Sequence, residues 1–365
     1  MSTMSDEIRF GPKRERRRRW PGWTLPALAV VAVIVTLIAT HHGHRQPARR
    51  PNLLAAVRVT GHRLLGVRAG WRLIAYGPAG LIRIQPAAGR VLRTPVPILD
   101  STGPVSFLAG PSQAVVRPLD GVTGYLIPYG HRARPLTGLL ARFGMAVPGP
   151  RPGQVWMLPG YQARSLSLAW PDGHSAGPSM PMPRGVWLPI PDGQGYPLVT
   201  DAESFRTPPP LYDMRPSGPR RVAGYLLAVG PHQWLTASCH RGRCTAVVID
   251  PAGGARRVLP GRVPTAELGQ PGVIAPDGAT AALLGTSGRQ ITLHLVSLAT
   301  GAQQQVRVSL GLGPASWQTL AWSPDSRWLF VVTARGRLVA VQASTGRVRG
   351  LGVALPPVSD IAVQG

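Results

Sequence analysis

The sequence contains few residues of the kinds that build catalytic or metal centres. It has two cysteines and fifteen acidic residues. A zinc site needs three or four protein ligands, and His240 is the only further candidate ligand near the two cysteines. G-x-S-x-G, H-E-x-x-H and Walker-loop motifs are also missing, so a nucleophile elbow, a zincin helix or a phosphate loop is not expected. No cofactor and no metal ion is therefore predicted.

Long helical patterns are scarce as well. Past about residue 60 no segment keeps a 3.6-residue apolar period for the length of a stable helix. Glycine and proline are abundant, at 44 and 40 residues, and apolar residues make up 44% of the chain. Apolar runs of four to six residues alternate with Gly/Pro/Asp breaks, which is typical of short strands joined by tight turns rather than of disorder.

The charge is strongly positive. Forty basic residues against fifteen acidic residues give a formal net charge of +25, which favours an anionic partner such as an acidic envelope polymer. The other interpretation is an arginine-rich composition spread over a solvated surface, because residues 51–365 contain no dense basic run. Since no nucleic-acid-binding motif accompanies the charge, nucleic acid is not expected as a partner.

A membrane anchor is predicted near the N-terminus. Residues 1–19 form a basic stub that includes "KRERRRR", and residues 20–40 contain no charge, a length that can cross a hydrocarbon core about 30 Å thick. The positive-inside rule places the stub in the cytoplasm of a bacterium and the rest outside. Residues 41–59 are then an extracellular linker, where "HHGH" is a polar flank rather than a metal site. A cleaved signal peptide remains the alternative.

Two kinds of break recur along residues 60–365. The first follows a short apolar strand, at Ala69, Pro111, Pro152, Pro191, Pro231, Pro276 and Pro324. The second precedes a polar strand, at Gly89, Gly130, Gly173, Gly218, Gly253, Gly301 and Gly346. Both series have a spacing near 40 residues and seven members.

Each repeat between successive breaks of one kind is predicted to contain four strands. In the last one, "TLAW", "WLFVV", "LVAVQ" and "RVRGL" are strands separated by "SPDS", "ARGR" and "ASTG". Four antiparallel strands at this period form a blade of a β-propeller, and the prediction is an all-β, seven-bladed propeller behind one transmembrane helix. A six-bladed ring remains possible, because residues 140–215 fit the period least well. One of the leftover segments, Leu53–Val59 or Val358–Gln364, is expected to close the ring.

"SPDSRWLFVVTARGRLVAVQASTGRV" and "APDGATAALLG" resemble the WD40-like/TolB-like propeller repeat, in which an SPDG turn joins the first two strands. More closely, with "SCHRGRCTAVVIDPAGGARRVLPG" in its middle, the chain resembles the actinobacterial single-pass membrane proteins with an extracellular propeller. Two positions depart from the repeat: Ser326 stands where the first turn usually has glycine, and Ala299 stands where the last turn usually has aspartate. Because members of this family are largely uncharacterised, the resemblance implies architecture and topology rather than an activity.

Cys239 and Cys244 are expected to form a disulfide, because two such thiols pair outside the cytoplasm and their spacing fits the tip of a hairpin. Asp192, Asp277 and Asp325 each follow proline and are interpreted as blade-turn residues that cap their own backbone. Asp172, Asp213 and Asp250 are placed at or near turns in the same way. A calcium or general-acid role for Asp201 and Glu203 is conceivable, but neighbouring loop acids are usually just solvated.

A membrane-anchored propeller that acts as a ligand- or protein-binding or scaffolding module is therefore predicted, and not an enzyme. The alternative is a propeller lyase or hydrolase, whose histidines and acids would converge from several blades at one mouth of the channel. The tryptophans lie mostly on strands and are expected to pack between blades.

Overall fold

The computed structural model describes residues 58–59, 62–97, 99, 105–119, 123–142, 144–160, 163–185, 187–201, 210–240, 243–264, 271–287, 290–310 and 318–365. Within these ranges the regular structure is β-strand, apart from three short 3-10 helices at Leu64–Gly66, Pro86–Ala88 and Gly138–Arg142. No helix in them is long and apolar enough to cross a membrane. The predicted anchor, residues 20–40, lies outside the described residues, as does "HHGH".

Most strands group into sheets of four that follow one another along the chain. The first sheets contain β1 (Arg58–Val59), β2 (Arg72–Gly77), β3 (Gly80–Gln85) and β4 (Arg90–Thr94); then β5 (Val105–Ala109), β6 (Gln113–Pro118), β7 (Tyr125–Pro128) and β8 (Arg134–Pro135). Next come β9 (Met145–Pro148), β10 (Val155–Leu158), β11 (Ser165–Ala169) and β12 (Met180–Pro181), and β13 (Trp187–Pro191), β14 (Pro197–Asp201), β15 (Leu211–Arg215) and β16 (Gly218–Val222).

The later part of the described chain repeats the pattern. It contains β17 (Tyr225–Val229), β18 (Trp234–His240), β19 (Arg243–Ile249) and β20 (Arg256–Val258); then β21 (Gly272–Ile274), β22 (Thr280–Ser287), β23 (Gln290–Ser297) and β24 (Gln303–Leu310); then β25 (Leu320–Trp322), β26 (Trp328–Val332), β27 (Leu338–Gln342) and β28 (Val348–Gly350); and finally β29 (Asp360–Gln364). We call these successive groups units 1 to 7, with β29 belonging to unit 1. Units 5 and 6 form one eight-stranded sheet, because β17 and β21 pair in parallel.

Unit 1 is completed by the C-terminus of the chain. Strand β29 pairs antiparallel with β2, so the order in this sheet is β1-β4-β3-β2-β29. The Val358–Gln364 segment therefore supplies the innermost strand, and β1 pairs with β4 on the outside. One expectation was wrong in detail: Ala69 does not follow a strand of its own, because β29 occupies that place. The remaining members of both series lie in or beside turns of the units.

Both faces of each sheet are apolar, and each face is covered by a neighbouring unit. In β2, Leu73 and Ala75 pack against unit 7, whereas Ile74 and Tyr76 pack against unit 2. This alternation follows from the two-residue period of a strand. A separate buried cluster fills every junction: units 1–2, 2–3, 3–4, 4–5, 5–6, 6–7 and 7–1. Each fully buried aliphatic or aromatic side chain contributes about 1.5–3 kcal/mol.

Tryptophans connect neighbouring units, as the sequence predicts for several of them. The indole N–H of Trp156 donates to the carbonyl of Gly195, that of Trp234 to the carbonyl of Asp192, and that of Trp322 to the carbonyl of Val273, each at 3.0 Å. All three side chains are buried. Each indole therefore packs its ring in a junction and pairs its polar atom with the adjacent unit.

The outer strands carry the positive charge. Exposed arginines lie on β4, β8, β16, β20, β24 and β28, at Arg90, Arg93, Arg134, Arg220, Arg221, Arg256, Arg257, Arg307 and Arg349. Because all of these strands except β4, which pairs with the two-residue β1, end their sheets, charged side chains there oppose edge-to-edge pairing with other chains. The arginine excess thus has a structural use at the rim of the molecule.

We expect Ser326 to stabilise the junction of units 6 and 7 through its hydroxyl. Ser326 has a φ of 57°, which disfavours a side chain, yet its Oγ accepts the N–H of Asp277 at 3.0 Å. Ser326→Ala should lower the free energy of unfolding by about 1–2 kcal/mol, because the amide loses its partner while the strain stays. Ser326→Gly should lower it less, since glycine relieves about 1 kcal/mol of strain.

Urea denaturation of both variants would test this, with the exposed Ser344→Ala as a control. A glycine variant as unstable as the alanine variant would contradict the explanation.

Candidate functional site

The innermost strands of all units surround one channel. Its wall combines residues of β5, β9, β13, β17, β21, β25 and β29, and its volume is about 380 Å³. The inner strands run in the same direction, so the first turn of each unit lies at one end of the channel, which we call the turn end. Because every unit contributes only a few residues, the wall is built from positions that lie far apart in sequence.

The channel wall is mostly apolar. Phe107, Val147, Ile190, Ile274 and Trp322 are typical of it. Its acidic residue is Asp360, at the end opposite the turn end, where the carboxylate accepts a hydrogen bond from the Ser359 hydroxyl at 2.6 Å. Burial, and next the nearby charge of Asp360, raise the pKa of Tyr76 to about 12, so this phenol stays protonated at neutral pH. In the described part of the chain, the wall therefore presents an apolar surface with one carboxylate, that of Asp360, at its far end.

A groove of about 720 Å³ adjoins the channel at the turn end. The first turns of units 2, 3 and 4 form it together with Trp170 and Pro171, and the groove and the channel share Pro191 and Gly193. Exposed Arg151 and half-buried Gln113 are among its polar residues. We call this groove and the channel together the turn-end site.

The turn Asp192–Tyr196 fixes the wall between the groove and the channel. Gly193, at a φ of +82°, and Gly195, at +91°, pack so closely on Gly230 and Pro150 that an added Cβ would lie 2.4 Å from the carbonyl oxygen of Gly230 or the Cα of Pro150. The indoles of Trp156 and Trp234 hold the same turn from units 3 and 5. Side chains other than glycine would therefore force units 3, 4 and 5 apart at the groove.

Charged side chains are buried beneath this turn. The guanidinium of Arg215 lies 3.2 Å from a carboxylate oxygen of Asp192 and 2.8 Å from one of Asp213, and Arg220 lies 3.4 Å from Asp213. Both carboxylates are fully buried, and Arg215 also stacks over the Tyr196 ring with its Cζ 4.7 Å from the centroid. Burial raises the pKa of Asp192, while hydrogen bonds from the Tyr196 and Gln194 amides and the charge of Arg215 oppose that shift.

The structure places the turn aspartates in similar local geometry. A carboxylate oxygen accepts the amide of the residue two positions ahead at Asp192 (2.7 Å), Asp277 (2.9 Å) and Asp325 (3.3 Å). Asp172 and Asp250 make the same bond, at 3.0 and 2.9 Å. Asp213 differs from its expected position: it lies inside strand β15 and is buried. Sequence reasoning missed its ion pair, although the D-x-R spacing in a strand places Asp213 and Arg215 on one face.

The predicted disulfide is present. Cys239 and Cys244 face each other across the β18–β19 hairpin, with Cα atoms 4.0 Å apart and a bond between their sulfurs. The Tyr225 hydroxyl lies 3.8 Å from the sulfur of Cys239. The bond fixes the end of a hairpin on the side of the molecule opposite the turn end.

The acid pair Asp201 and Glu203 is not tested by the described residues. Asp201 is the last residue of β14, and Glu203 lies outside the described residues, like the rest of residues 202–209. Across the described ranges, no group of three or more His, Cys, Asp and Glu side chains is placed to hold a metal ion.

No protein-family model and no curated protein sequence matches the chain. Solved structures do match it in fold. A functionally unknown protein from Desulfotomaculum acetoxidans DSM 771 has a TM-score of 0.53 at 13% identity and covers 81% of this chain and 99% of its own. An oligogalacturonate lyase in complex with manganese has a TM-score of 0.50 at 13% identity, covering 71% and 81%.

TolB from Acinetobacter baumannii also matches, with a TM-score of 0.42 at 15% identity, covering 83% of this chain and 68% of its own. Together with the repeated sheets, the two structures with TM-scores of 0.53 and 0.50 are consistent with a β-propeller fold. At these identities they say nothing about activity.

We expect Asp192 to make stability depend on pH. Because its pKa is raised in the folded protein, the folded state holds this proton more tightly than the unfolded state, whose pKa is about 3.9. The stability that Asp192 contributes is then complete below that pH and is lost as the pH rises through the folded pKa. Asp192→Asn keeps the amide acceptor and removes this titration.

Urea denaturation between pH 4 and pH 7 should show the wild-type protein losing stability relative to Asp192→Asn as the pH rises. Asp277→Asn, at the same turn position but exposed, is the matched control for replacing a turn aspartate by asparagine. A gap that stays constant with pH would contradict the assignment.

Proposed function

We propose that the chain is a membrane-anchored β-propeller of seven blades, displayed outside a bacterial plasma membrane, that binds a ligand or protein at its turn-end site. We further propose that it is a binding or scaffolding module and not an enzyme. The observation that carries this proposal is the continuous apolar channel and groove, to which every unit contributes wall residues.

Contacts around the channel support seven blades. The inner strands β29, β5, β9 and β13 contact each other in that order, and β17, β21, β25 and β29 do the same. Units 4 and 5 meet through the cluster of Ile190, Leu198 and Trp234. Strand β29 also meets unit 2 through Gln364, whose amide donates to the Tyr129 hydroxyl at 2.8 Å.

The chemistry of the turn-end site favours binding. Ligand sites in proteins are concave, mainly apolar and largely preformed, with a few polar groups that set orientation. The channel and groove fit this description, and Trp170, Arg151 and Gln113 supply an aromatic face, a charge and an amide. Because prolines and glycines with fixed backbones shape the groove, little conformational entropy is lost when a partner binds.

The disulfide and the charge pattern support the proposed location. Stable disulfides form outside the cytoplasm, and Cys239–Cys244 is one. The basic stub at residues 1–19 precedes the uncharged residues 20–40, as expected for an N-terminus that stays in the cytoplasm. Residues 60–365 would then face the outside.

Photo-crosslinking tests the binding site. A photoreactive amino acid at Ser112, an exposed residue that lines the groove, should give discrete adducts with partner molecules in intact cells. The same amino acid at exposed Ser344, in a turn of unit 7 away from the groove, is the control. Equal adducts at both positions, or no adduct at Ser112, would count against the turn-end site.

Protease treatment of intact protoplasts tests the topology. Added protease should digest the propeller and leave a fragment that contains the anchor, because residues 41–365 are proposed to lie outside. A cytoplasmic protein must remain intact as the control for leakage. Protection of the propeller until the membrane is lysed would show the opposite orientation.

A further inference from the structure

A second concave site lies on the side of the molecule opposite the turn end. It is a cleft of about 480 Å³ where the outer strand of unit 4 leads into unit 5. The β16–β17 connection at Ala223 and Gly224 forms one wall, and Ser238 and Cys239 at the end of β18 form another. We call it the arginine cleft, because Arg221 and Arg256 complete its lining.

The two arginines come from neighbouring outer strands. Arg221 belongs to β16 and Arg256 to β20, and both are exposed. Neither forms an ion pair with an acidic residue of the described ranges. Arginine stays charged at any physiological pH, so two positively charged side chains line the cleft.

Within the described part of the chain, the two nearest acidic residues in the sequence bind other groups. Asp213, on the strand next to β16, is within 3.4 Å of both Arg215 and Arg220. Asp250, in the turn before β20, accepts the amide of Ala252 instead. Among the described residues, Asp213 pairs with Arg215 and Arg220, and neither Asp213 nor Asp250 forms an ion pair with Arg221 or Arg256.

The cleft wall is held in place by covalent and close packing contacts. The disulfide fixes Cys239 to Cys244 across the hairpin. Gly224, at a φ of +82°, packs so tightly that an added Cβ would lie 2.5 Å from the carbonyl oxygen of Ala237. A preformed wall lowers the entropic cost of binding a small ligand.

We propose that the arginine cleft binds a phosphate-bearing anion. Two arginine side chains that line one cleft favour a ligand with more than one negative charge, and guanidinium matches the oxygens of phosphate in paired hydrogen bonds. A phosphate monoester carries close to two charges at neutral pH, and the cleft has room for more than a phosphate group. This site is independent of the turn-end site and of any partner bound there.

Calorimetry on the full-length protein in a neutral detergent tests the proposal, with pyrophosphate as the probe. The wild-type protein should bind it at one site, and the Arg221→Ala/Arg256→Ala variant should bind about tenfold more weakly or not measurably. The matched control is Arg90→Ala/Arg307→Ala, which removes two exposed arginines from the outer strands of units 1 and 6. It should bind as the wild type does.

Two results would overturn the proposal. One is equal weakening in both double variants, which would mean that the overall surface charge attracts the anion. The other is no binding of pyrophosphate to the wild-type protein at low ionic strength, where charge interactions are strongest. Unchanged thermal unfolding of the variants shows that they are folded, since both arginines are exposed.

A second probe distinguishes the sources of the phosphate. Glycerophosphoglycerol, the water-soluble headgroup of phosphatidylglycerol, carries a phosphodiester. If it binds with an affinity similar to that of pyrophosphate, and the cleft variant loses both, the ligand is a lipid headgroup. Loss of pyrophosphate binding alone assigns the site to a soluble phosphate compound.

Discussion

The structure depends on one packing constraint: each four-stranded sheet is apolar on both faces. In β2 the side chains of Leu73 and Ile74 point to opposite faces, and both are completely buried. A sheet of this kind needs a neighbour on each side, and a row of such sheets leaves two uncovered faces at its ends. Closing the row around a channel covers them, which is why a buried cluster fills each junction.

Closure explains why polar atoms are placed where they are. A junction buries backbone and indole groups, and an unpaired buried polar group costs about 1–3 kcal/mol. Trp156 and Trp234 meet this cost by donating to the same turn of unit 4 from opposite sides. The buried Asp192 and the half-buried Arg215 pair beneath that turn. Three units therefore hold the turn in place, and the shape of the groove depends on all three.

The sequence predicts the strands and turns well because the information is local. Pro-Asp at a turn, an apolar run of five residues and a glycine before a polar strand need no knowledge of distant residues. Local sequence does not show which of the two leftover segments closes the ring, because "LLAAVRV" and "VSDIAVQ" are both short and apolar. The pairing of β29 with β2 identifies the second segment as the one that does. The burial of Asp192 was hidden for the same reason, since Asp325 looks identical in sequence and is exposed.

Binding surfaces on this fold are the least local feature. The channel wall takes a few residues from each unit, about 40 positions apart, and the arginine cleft takes Arg221 and Arg256 from two outer strands. Arginines that protect sheet edges are present on most units, so the composition alone gives a uniformly basic rim. What singles out one pair is that Arg221 and Arg256 line the same cleft, beside the hairpin that the disulfide fixes. Exposed arginines occur around most of the rim, but Arg221 and Arg256 also lie beside a wall that the Cys239–Cys244 disulfide and the packing of Gly224 hold in place.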